Sequence, residues 1–474
     1  MNEKNYDITE NSRLLSDVLA DEGVRLDLRC GGHGACGRCR VTLVTGRWTV
    51  AGRLVEAPAE ANACQTMLAS ESGRISIPES SLLQNATAGT ALETWNGCAP
   101  MPACPQVTIG FDIGTTTLAA AAFQNGRCLG TASCYNPQAA FGDNVMARIS
   151  AAKTHFGEMR ECLLVAMRGL MGELALEMPP ARVAVAGNAT MTCIFHGIDP
   201  TPLGAHPFAL PQWFFPAVSA SCIGLPDDVL IVTISPASAF IGGDIVAGLG
   251  EVALQPGEAF MDLGTNCEMV IRLPDGTYCG TAAAAGPAFE GAGISCGCRA
   301  IPGALKSYVS STDFGVIGDG DATVGVCGSG LVDVLAAWKR SGRLSPFGRF
   351  QPPAESVEVV HGIALTEEDV SKLVVAKAAV AAGFQTLAKH CGVSVSRLVL
   401  AGGFAQYLNL ENARAIGLLP DVPTITVGNT SLAGAVRLSC TPELSKKQEE
   451  PKMEEFLLND DPAFENAFID AMRL

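Results

Sequence analysis

Ile109-Gly-Phe-Asp-Ile-Gly-Thr-Thr-Thr117 and Ala259-Phe-Met-Asp-Leu-Gly-Thr-Asn266 decide how this chain folds. Asp262 follows Asp112 by 150 residues, and the same offset joins Gly264 to Gly114 and Thr265 to Thr115. Each segment is an apolar run that ends on an aspartate and turns at a glycine. Each then continues through a second apolar run into a tight turn, Asn125-Gly126 in one and Asp275-Gly276 in the other. Asn-Gly and Asp-Gly are strong hairpin signals. One such match is commonplace. An offset shared through the following hairpin points to duplicated α/β lobes.

A buried strand that runs into a tight turn presents backbone N–H groups and threonine hydroxyls to a phosphate chain. Two such turns grip it from opposite sides. On this reading Gly114, Thr115, Thr116, Gly264, Thr265 and Asn266 bind phosphates. Asp112 and Asp262, at the strand ends, hold Mg²⁺ through water or orient an attacking water. A third segment, Arg397-Leu-Val-Leu-Ala-Gly-Gly-Phe404, is a buried strand entering a double glycine. Gly402 and Gly403 admit a flat base without a Cβ clash. Asp244, in Gly242-Gly-Asp, is a candidate base or else a loop-capping carboxylate. Glu290 is a further candidate.

Near the N-terminus, Cys30, Cys36 and Cys39 form C-x5-C-x2-C, and Cys64 stands alone beyond them. Plant-type [2Fe–2S] ferredoxins use a loop one residue shorter with a distant fourth ligand. Gly31, Gly32, Gly34 and Gly37 let backbone N–H groups approach cluster sulfides. The alternative is structural zinc, which usually takes two short cysteine knuckles. The lone fourth cysteine and the glycines favour the cluster. Arg29, Arg38 and Arg40 flank it as charge compensation or as a solvated rim. His33 is a loop residue, because Rieske ligation needs two histidines.

The chain has 474 residues, 48% hydrophobic, enough for two or three domains. A net charge of −16 argues against a nucleic-acid partner. The polar start Met1-Asn-Glu-Lys-Asn5 shows no signal peptide, and the 18 cysteines suit a reducing cytoplasm. Fourteen of them, such as Cys162, Cys193 and Cys391, read as buried free thiols. Cys296 and Cys298 read as packing residues. The most apolar stretch, Val229 to Leu249, reads as buried strand and turn, so no membrane partner is expected.

The expected organisation follows. Residues 1–80 form a β-grasp, ferredoxin-like α+β module, with an amphipathic helix over 12–22 (Leu14, Leu15, Val18 and Leu19 inward) and strands at 41–44 and 74–78. The module is expected to be one strand short. Residues 81–105 are linker, with Cys98 and Cys104 incidental. Residues 106–440 form the two-lobed domain, including a long helix from the Thr366 cap to about His390. Residues 441–474 form a tail that turns helical from Met453.

The three glycine turns resemble the phosphate 1, phosphate 2 and adenosine motifs of the acetate/sugar kinase–Hsp70–actin superfamily. That resemblance implies two RNase H-like lobes with ATP between them. Asn136-Pro-Gln138, Gly142-Asp-Asn-Val-Met-Ala-Arg148, Gly187-Asn-Ala-Thr-Met191, Gly197-Ile-Asp-Pro200, Gly242-Gly-Asp-Ile245 and Gly286-Pro-Ala-Phe-Glu-Gly-Ala292 are similar to the reductive activators of corrinoid enzymes. This resemblance covers about residues 5–440. It implies a [2Fe–2S] cluster on Cys30, Cys36, Cys39 and Cys64, with ATP and Mg²⁺ between the lobes. The implied reaction is ATP-dependent transfer of one electron to Co(II) of a corrinoid methyl-carrier protein, regenerating Co(I). A low-potential donor such as ferredoxin or flavodoxin would supply the electron, and a homodimer is compatible. Longer members carry extra linker and middle domains, so this chain is expected to be a short form lacking the middle domain. Two other functions fit the same motifs: a small-molecule kinase with a redox-sensing cluster, and a non-catalytic ATP-bound ferredoxin scaffold. Radical-dehydratase activators share a [4Fe–4S] cluster between subunits, which this loop does not suit.

Overall fold

The structure is a computed structural model and describes residues 3–24, 26, 34, 39–78, 81–82, 100–142, 144–318, 324–441 and 452–474. The chain divides into two compact units, Met1–Asn85 with Pro137–Ala151, and Ala86–Asn136 with Ala152–Leu474.

In the first unit, β1 (Glu3–Ile8) leads to α1 (Leu15–Asp21), followed by β2 (Arg40–Thr45), β3 (Arg47–Val50), β4 (Arg53–Glu56), β5 (Ala59–Asn62), β6 (Thr66–Leu68) and β7 (Gly73–Pro78). One sheet has the order β1-β7-β2-β5 and a second the order β4-β3-β6. A single strand precedes the helix, as expected, and it pairs antiparallel with β7. Alternation puts Val41 and Leu43 of β2 and Ile75 and Ile77 of β7 into one core with Leu15, Leu19 and Trp48. Fully burying each such side chain stabilises by about 1.5–3 kcal/mol. Leu14 is not on the inward face; it precedes the first helical turn and is exposed. Gly23, with φ 82°, ends the helix.

The stretch expected to be linker is anchored at both ends. The Ser81 hydroxyl donates to the Arg40 carbonyl at 2.6 Å, and Leu82 bridges Leu26. Cys104 is buried with Met101 against Ala119, Phe123 and Leu432, so it belongs to the core of the second unit. Cys98 lies outside the described residues.

The second unit carries the duplication. Its first sheet contains β8 (Thr108–Ile113), β9 (Thr117–Gln124), β10 (Arg127–Tyr135), β11 (Arg182–Ala186), β12 (Val218–Ser219) and β13 (Leu230–Thr233). Its second contains β14 (Glu258–Leu263), β15 (Cys267–Arg272), β16 (Tyr278–Ala283), β22 (Arg397–Ala401), β23 (Thr424–Thr426) and β24 (Met453–Glu455). The orders are β10-β9-β8-β11-β13-β12 and β23-β22-β14-β15-β16-β24. In both, an antiparallel three-strand meander continues into two parallel strands. β8 and β14 begin 150 residues apart, as the repeated motif requires. The turn at Asn125-Gly126 has positive φ at both residues, the I′ geometry that matches strand twist.

Between the repeats lie α2 (Val145–Glu173), whose helical geometry breaks at His155, then α3 (Ala189–His196) and α4 (Gly243–Glu251). The stretch from Val229 to Leu249 is therefore strand and helix, not strand and turn. Three small strands, β17 (Ala304–Ser310), β18 (Asp313–Val316) and β19 (Gly325–Val326), precede α5 (Gly328–Arg340). A hairpin, β20 (Ser356–Val360) and β21 (Ile363–Thr366), leads into α6 (Glu367–His390). α6 starts with a capping box between Thr366 and Asp369. It is long and apolar enough to span a membrane by composition, but 72% of that window is buried, as in a core helix. After α7 (Leu410–Ala415), α8 (Thr430–Cys440) returns to the first sheet. A Cβ on Gly110 would meet the Val436 backbone at 2.5 Å, so only glycine lets α8 lie this close.

The tail differs from expectation at Met453. Residues Met453–Glu455 form β24, parallel to β16, and the helix begins at Pro462. Phe456, Phe464, Met472 and Leu474 then pack on the largest core. Of the thiols expected to be buried, Cys193 is; Cys162 and Cys391 are half-buried, and Cys128 is exposed.

Candidate functional site: a carboxylate-floored cavity and a cysteine module

Within the second unit, a cavity of about 670 Å³ collects the residues singled out in the repeats. Asp112, Asp244, Asp262, Gly114, Thr115, Thr116, Gly264, Thr265, Asn266, Gly402 and Gly403 all line it. The two repeat turns face each other there. The hydroxyl oxygens of Thr116 and Thr265 are 3.0 Å apart. Both hydroxyls donate to Glu290, to Oε2 at 3.1 Å and to Oε1 at 2.6 Å. Glu290 thus ties equivalent turns of the two lobes together rather than standing free as a base.

The first turn is braced by motif residues. Asn136 donates to the Gly114 carbonyl at 2.8 Å. Asn188 donates to the Thr115 hydroxyl at 2.9 Å and, through Oδ1, caps α3 by accepting from Met191 N–H. In the first unit, Arg148 is buried and donates to the Gly142 carbonyl and the Gln138 side chain. Asp143 lies outside the described residues.

Four carboxylates converge on the floor. Asp112 is held by Asn429 Nδ2 at 2.8 Å and Ser431 Oγ at 2.9 Å. Burial pushes its carboxyl up, and those two donors partly oppose the shift. Burial, then the charges of Asp112 and Asp262, pushes Asp244 up to about 7. Burial and Asp112 do the same for Asp262, also to about 7. Glu268 is raised well above the usual carboxylate range by burial, Asp244 and Asp262. Four clustered acids in a poorly solvated pocket are a poor apo arrangement. A divalent cation coordinated by oxygen relieves it, so this donor set fits Mg²⁺.

The double glycine meets this floor directly. Gly402 has φ 102°, and a Cβ there would sit 2.8 Å from Asp262 Oδ1. Phe404 beyond it stacks on Phe289, with centroids 5.8 Å apart at 19°. Further lining residues escaped the sequence reading. Glu268 is the fourth acid. Cys327, Gly328 and Ser329 bring the α5 N-terminus, which no side chain caps, to the cavity. Lys306 and Arg299 supply positive charge, Arg299 lying 3.4 Å over the Tyr135 ring. A charged residue inside the apolar run Cys267-Glu-Met-Val-Ile271 and a Gly-Ser-Gly before an apolar helix were the available signals. Asn429 and Ser431 had none, being more than 300 residues from Asp112.

In the first unit, Cys39 and Cys64 are both buried, and Ala63 N–H donates to the Cys39 carbonyl at 2.9 Å. The two cysteines are thus brought side by side from the loop and from a 3₁₀ turn at Ala63–Gln65. Asn62 Nδ2 donates to the Gly34 carbonyl at 3.2 Å. A Cβ on Gly34 would strike the Gln65 side chain at 2.8 Å. Cys30, Cys36 and His33 lie outside the described residues. The described pair and the tight glycine approach fit a cluster cradle. Cys296 and Cys298 pack as expected, Cys298 against Ala304 and Cys327.

Comparison with known proteins adds three matches in chain order. Residues 2–69 match a 2Fe-2S iron-sulfur cluster binding domain, 107–256 the RACo middle region, and 258–474 the C-terminal ASKHA domain of RACo. Among curated proteins, the corrinoid activation enzyme RamQ of Eubacterium limosum is 27% identical, covering 91% of each chain. The [Co(II) methylated amine-specific corrinoid protein] reductase of Methanosarcina barkeri is 31% identical over 42% of each. A solved structure, a reductive activator for corrinoid, iron-sulfur protein, superposes with TM-score 0.69 at 26% identity, covering 98% of this chain and 96% of that one.

These matches correct one expectation. The chain is not a short form without a middle domain, because its first lobe is itself the middle region. The repeat made both lobes read as one ATPase domain, which left no residues to assign to a middle part. With all three regions present in this order, the chain belongs to the RACo-type reductive activator family.

Proposed function

We propose that this chain is an ATP-driven reductase that returns Co(II) of a corrinoid protein to Co(I). The observation that carries the reading is the pairing, on one chain, of a cysteine module with a two-lobed cavity floored by four acids. The names of its relatives point the same way.

Cys30, Cys36, Cys39 and Cys64 would hold a [2Fe–2S] cluster, which when bound supplies a single low-potential electron. The electron reaches the protein from a donor of ferredoxin or flavodoxin type. In the cavity, the turns at Gly114–Thr116 and Gly264–Asn266 and the N-terminus of α5 bind the phosphates. Gly402 and Gly403 leave room for the base. Asp244, Asp262 and Glu268 would hold Mg²⁺ through its water shell and orient the attacking water. Asp112, with both oxygens engaged by Asn429 and Ser431, positions rather than reacts. Glu290 joins the two turns, so a nucleotide that draws on Thr116 or Thr265 alters the link between lobes.

An uphill one-electron step of ~100 mV costs about 2.3 kcal/mol, since tenfold in K is ~59 mV. That is roughly fifty-fold in differential binding, within reach of a coupled conformational change.

The test mixes protein, strong reductant and cognate Co(II) corrinoid protein, and follows the Co(I) absorption band. Wild type with ATP generates it; Cys39→Ala and Asp262→Ala do not. Equal rates and yields without ATP would reduce the protein to a plain electron donor. Phosphorylation of a small acceptor would instead make it a kinase.

A further inference from the structure

A second cluster of ligand-type side chains shares no residue with the cavity or the cysteine loop. Cys279 on β16, His390 in the last turn of α6 and Glu454 on β24 place a thiol, an imidazole nitrogen and a carboxylate oxygen within 4.8 Å of one another. Cys279 and Glu454 are direct register partners across the β16–β24 ladder. His390 Nε2 is 3.1 Å from Glu454 Oε1. Cys391, the next residue, is hydrogen-bonded to the Cys279 thiol.

The scaffold is built. The His390 ring stacks on Phe456 at 4.1 Å and 18°, which fixes its plane. Phe456 N–H donates to the Gly280 carbonyl, beside Cys279, and the Thr281 hydroxyl donates back to the Phe456 carbonyl at 2.6 Å. Cys279 is buried, whereas the His390 and Glu454 side chains are 35% and 60% exposed. The site therefore has a closed floor and an open mouth. Around tetrahedral zinc, ligand atoms stand about 3.3–3.5 Å apart, given bonds of ~2.0 Å to N and O and ~2.3 Å to S. The side chains need only a small closure to reach that geometry.

We propose that Cys279, His390 and Glu454 form a site for one divalent ion of zinc's class, with the fourth position open at the mouth. A thiolate, an imidazole and a carboxylate select such an ion over Mg²⁺. Binding is not redox: the Cys279 thiol loses its proton as its sulfur–metal bond forms. The ion ties three segments together, strand β16 near one edge of the second sheet, the end of α6 and the tail strand β24, so occupancy pins the C-terminal tail.

The experiment titrates Co²⁺ into the full chain with its iron–sulfur cluster reconstituted, monitored by difference absorption and calorimetry. With excess Mg²⁺ present to fill the carboxylate cavity, wild type takes up one Co²⁺ per chain with a thiolate-to-cobalt charge-transfer band, and Zn²⁺ displaces it. The surface variants His390→Gln and Glu454→Gln keep the fold and weaken binding by roughly tenfold or more, because even outer-shell changes cost about 10–100-fold. Cys279→Ser removes charge-transfer intensity while the cluster spectrum stays unchanged. No Co²⁺ uptake by wild type overturns the proposal. So does uptake with the same affinity and spectrum in both surface variants, which would place the ion elsewhere. Should Cys279→Ser fail to fold, the two surface variants decide.

Discussion

Glu268 stands directly across the β14–β15 ladder from Asp262, whereas the equivalent hairpin of the first lobe pairs Asp112 with Ala119. The two lobes share a fold and a motif, but only the second adds an acid. The hairpin turn is one residue shorter there: Leu263 pairs with Cys267, while Ile113 pairs with Leu118. The added carboxylate raises the charge density beside Asp244 and Asp262, so that the four acids come two from each lobe.

That crowding predicts proton release. Asp244 and Asp262 sit near 7 in the free protein, so part of the cluster is protonated at neutral pH. Mg²⁺–nucleotide binding requires the ionised forms and expels those protons. Affinity should weaken as pH falls below 7. Calorimetry in two buffers with different ionisation heats reads the release directly; identical heats would show the carboxylates already ionised.

Gly402→Ala should disable the cavity without touching the cysteine module. The substitution places a methyl 2.8 Å from Asp262 Oδ1 and 2.9 Å from the Leu263 carbonyl, on a backbone with φ 102°. We expect a stability loss above about 1 kcal/mol and at least tenfold slower ATP hydrolysis, with the cluster spectrum unchanged. Wild-type turnover in this variant would remove the double glycine from the nucleotide site.

His196 predicts an acid weakness. Burial, and then Arg160, lower its ring to about 4, and its Nε2 lies 2.8 Å from the Thr233 hydroxyl. The folded value is below the unfolded one of 6.5, so the unfolded chain binds the extra proton in between. Stability from this group is full above pH 6.5 and falls as pH drops toward 4, by at most about 3 kcal/mol. Denaturant unfolding of wild type and His196→Gln at pH 7 and pH 5 should show the wild type losing ground on acidification. A constant difference between the two proteins would contradict this.

Cys64→Ser should abolish the cluster while sparing the cavity. Cys64 sits buried beside Cys39, in the unit that contains none of the cavity residues. Anaerobically reconstituted wild type should bind about two irons per chain. The variant should bind markedly less iron, lose the reduced-state EPR signal and still bind ATP. Full iron content in the variant would move the fourth ligand elsewhere.

The sequence by itself determined the duplication, the glycine turns and the cysteine spacing. These are local patterns: an apolar run, an aspartate and a glycine within nine residues already specify a strand end and its turn. The 150-residue offset carried that pattern from Asp112 to Asp262 and pointed to duplicated lobes, each opening on a strand–turn–strand hairpin. Only the tertiary structure decided which groups those turns meet. Asn429 and Ser431 reach Asp112 because α8 crosses back to the first sheet over Gly110. Glu290 meets both threonines, and the tail adds β24 beside β16, through contacts spanning 25 to 175 residues of chain. Such contacts have no period in the sequence. They arise from packing between faces, where any residue of fitting size and polarity leaves the local pattern unchanged.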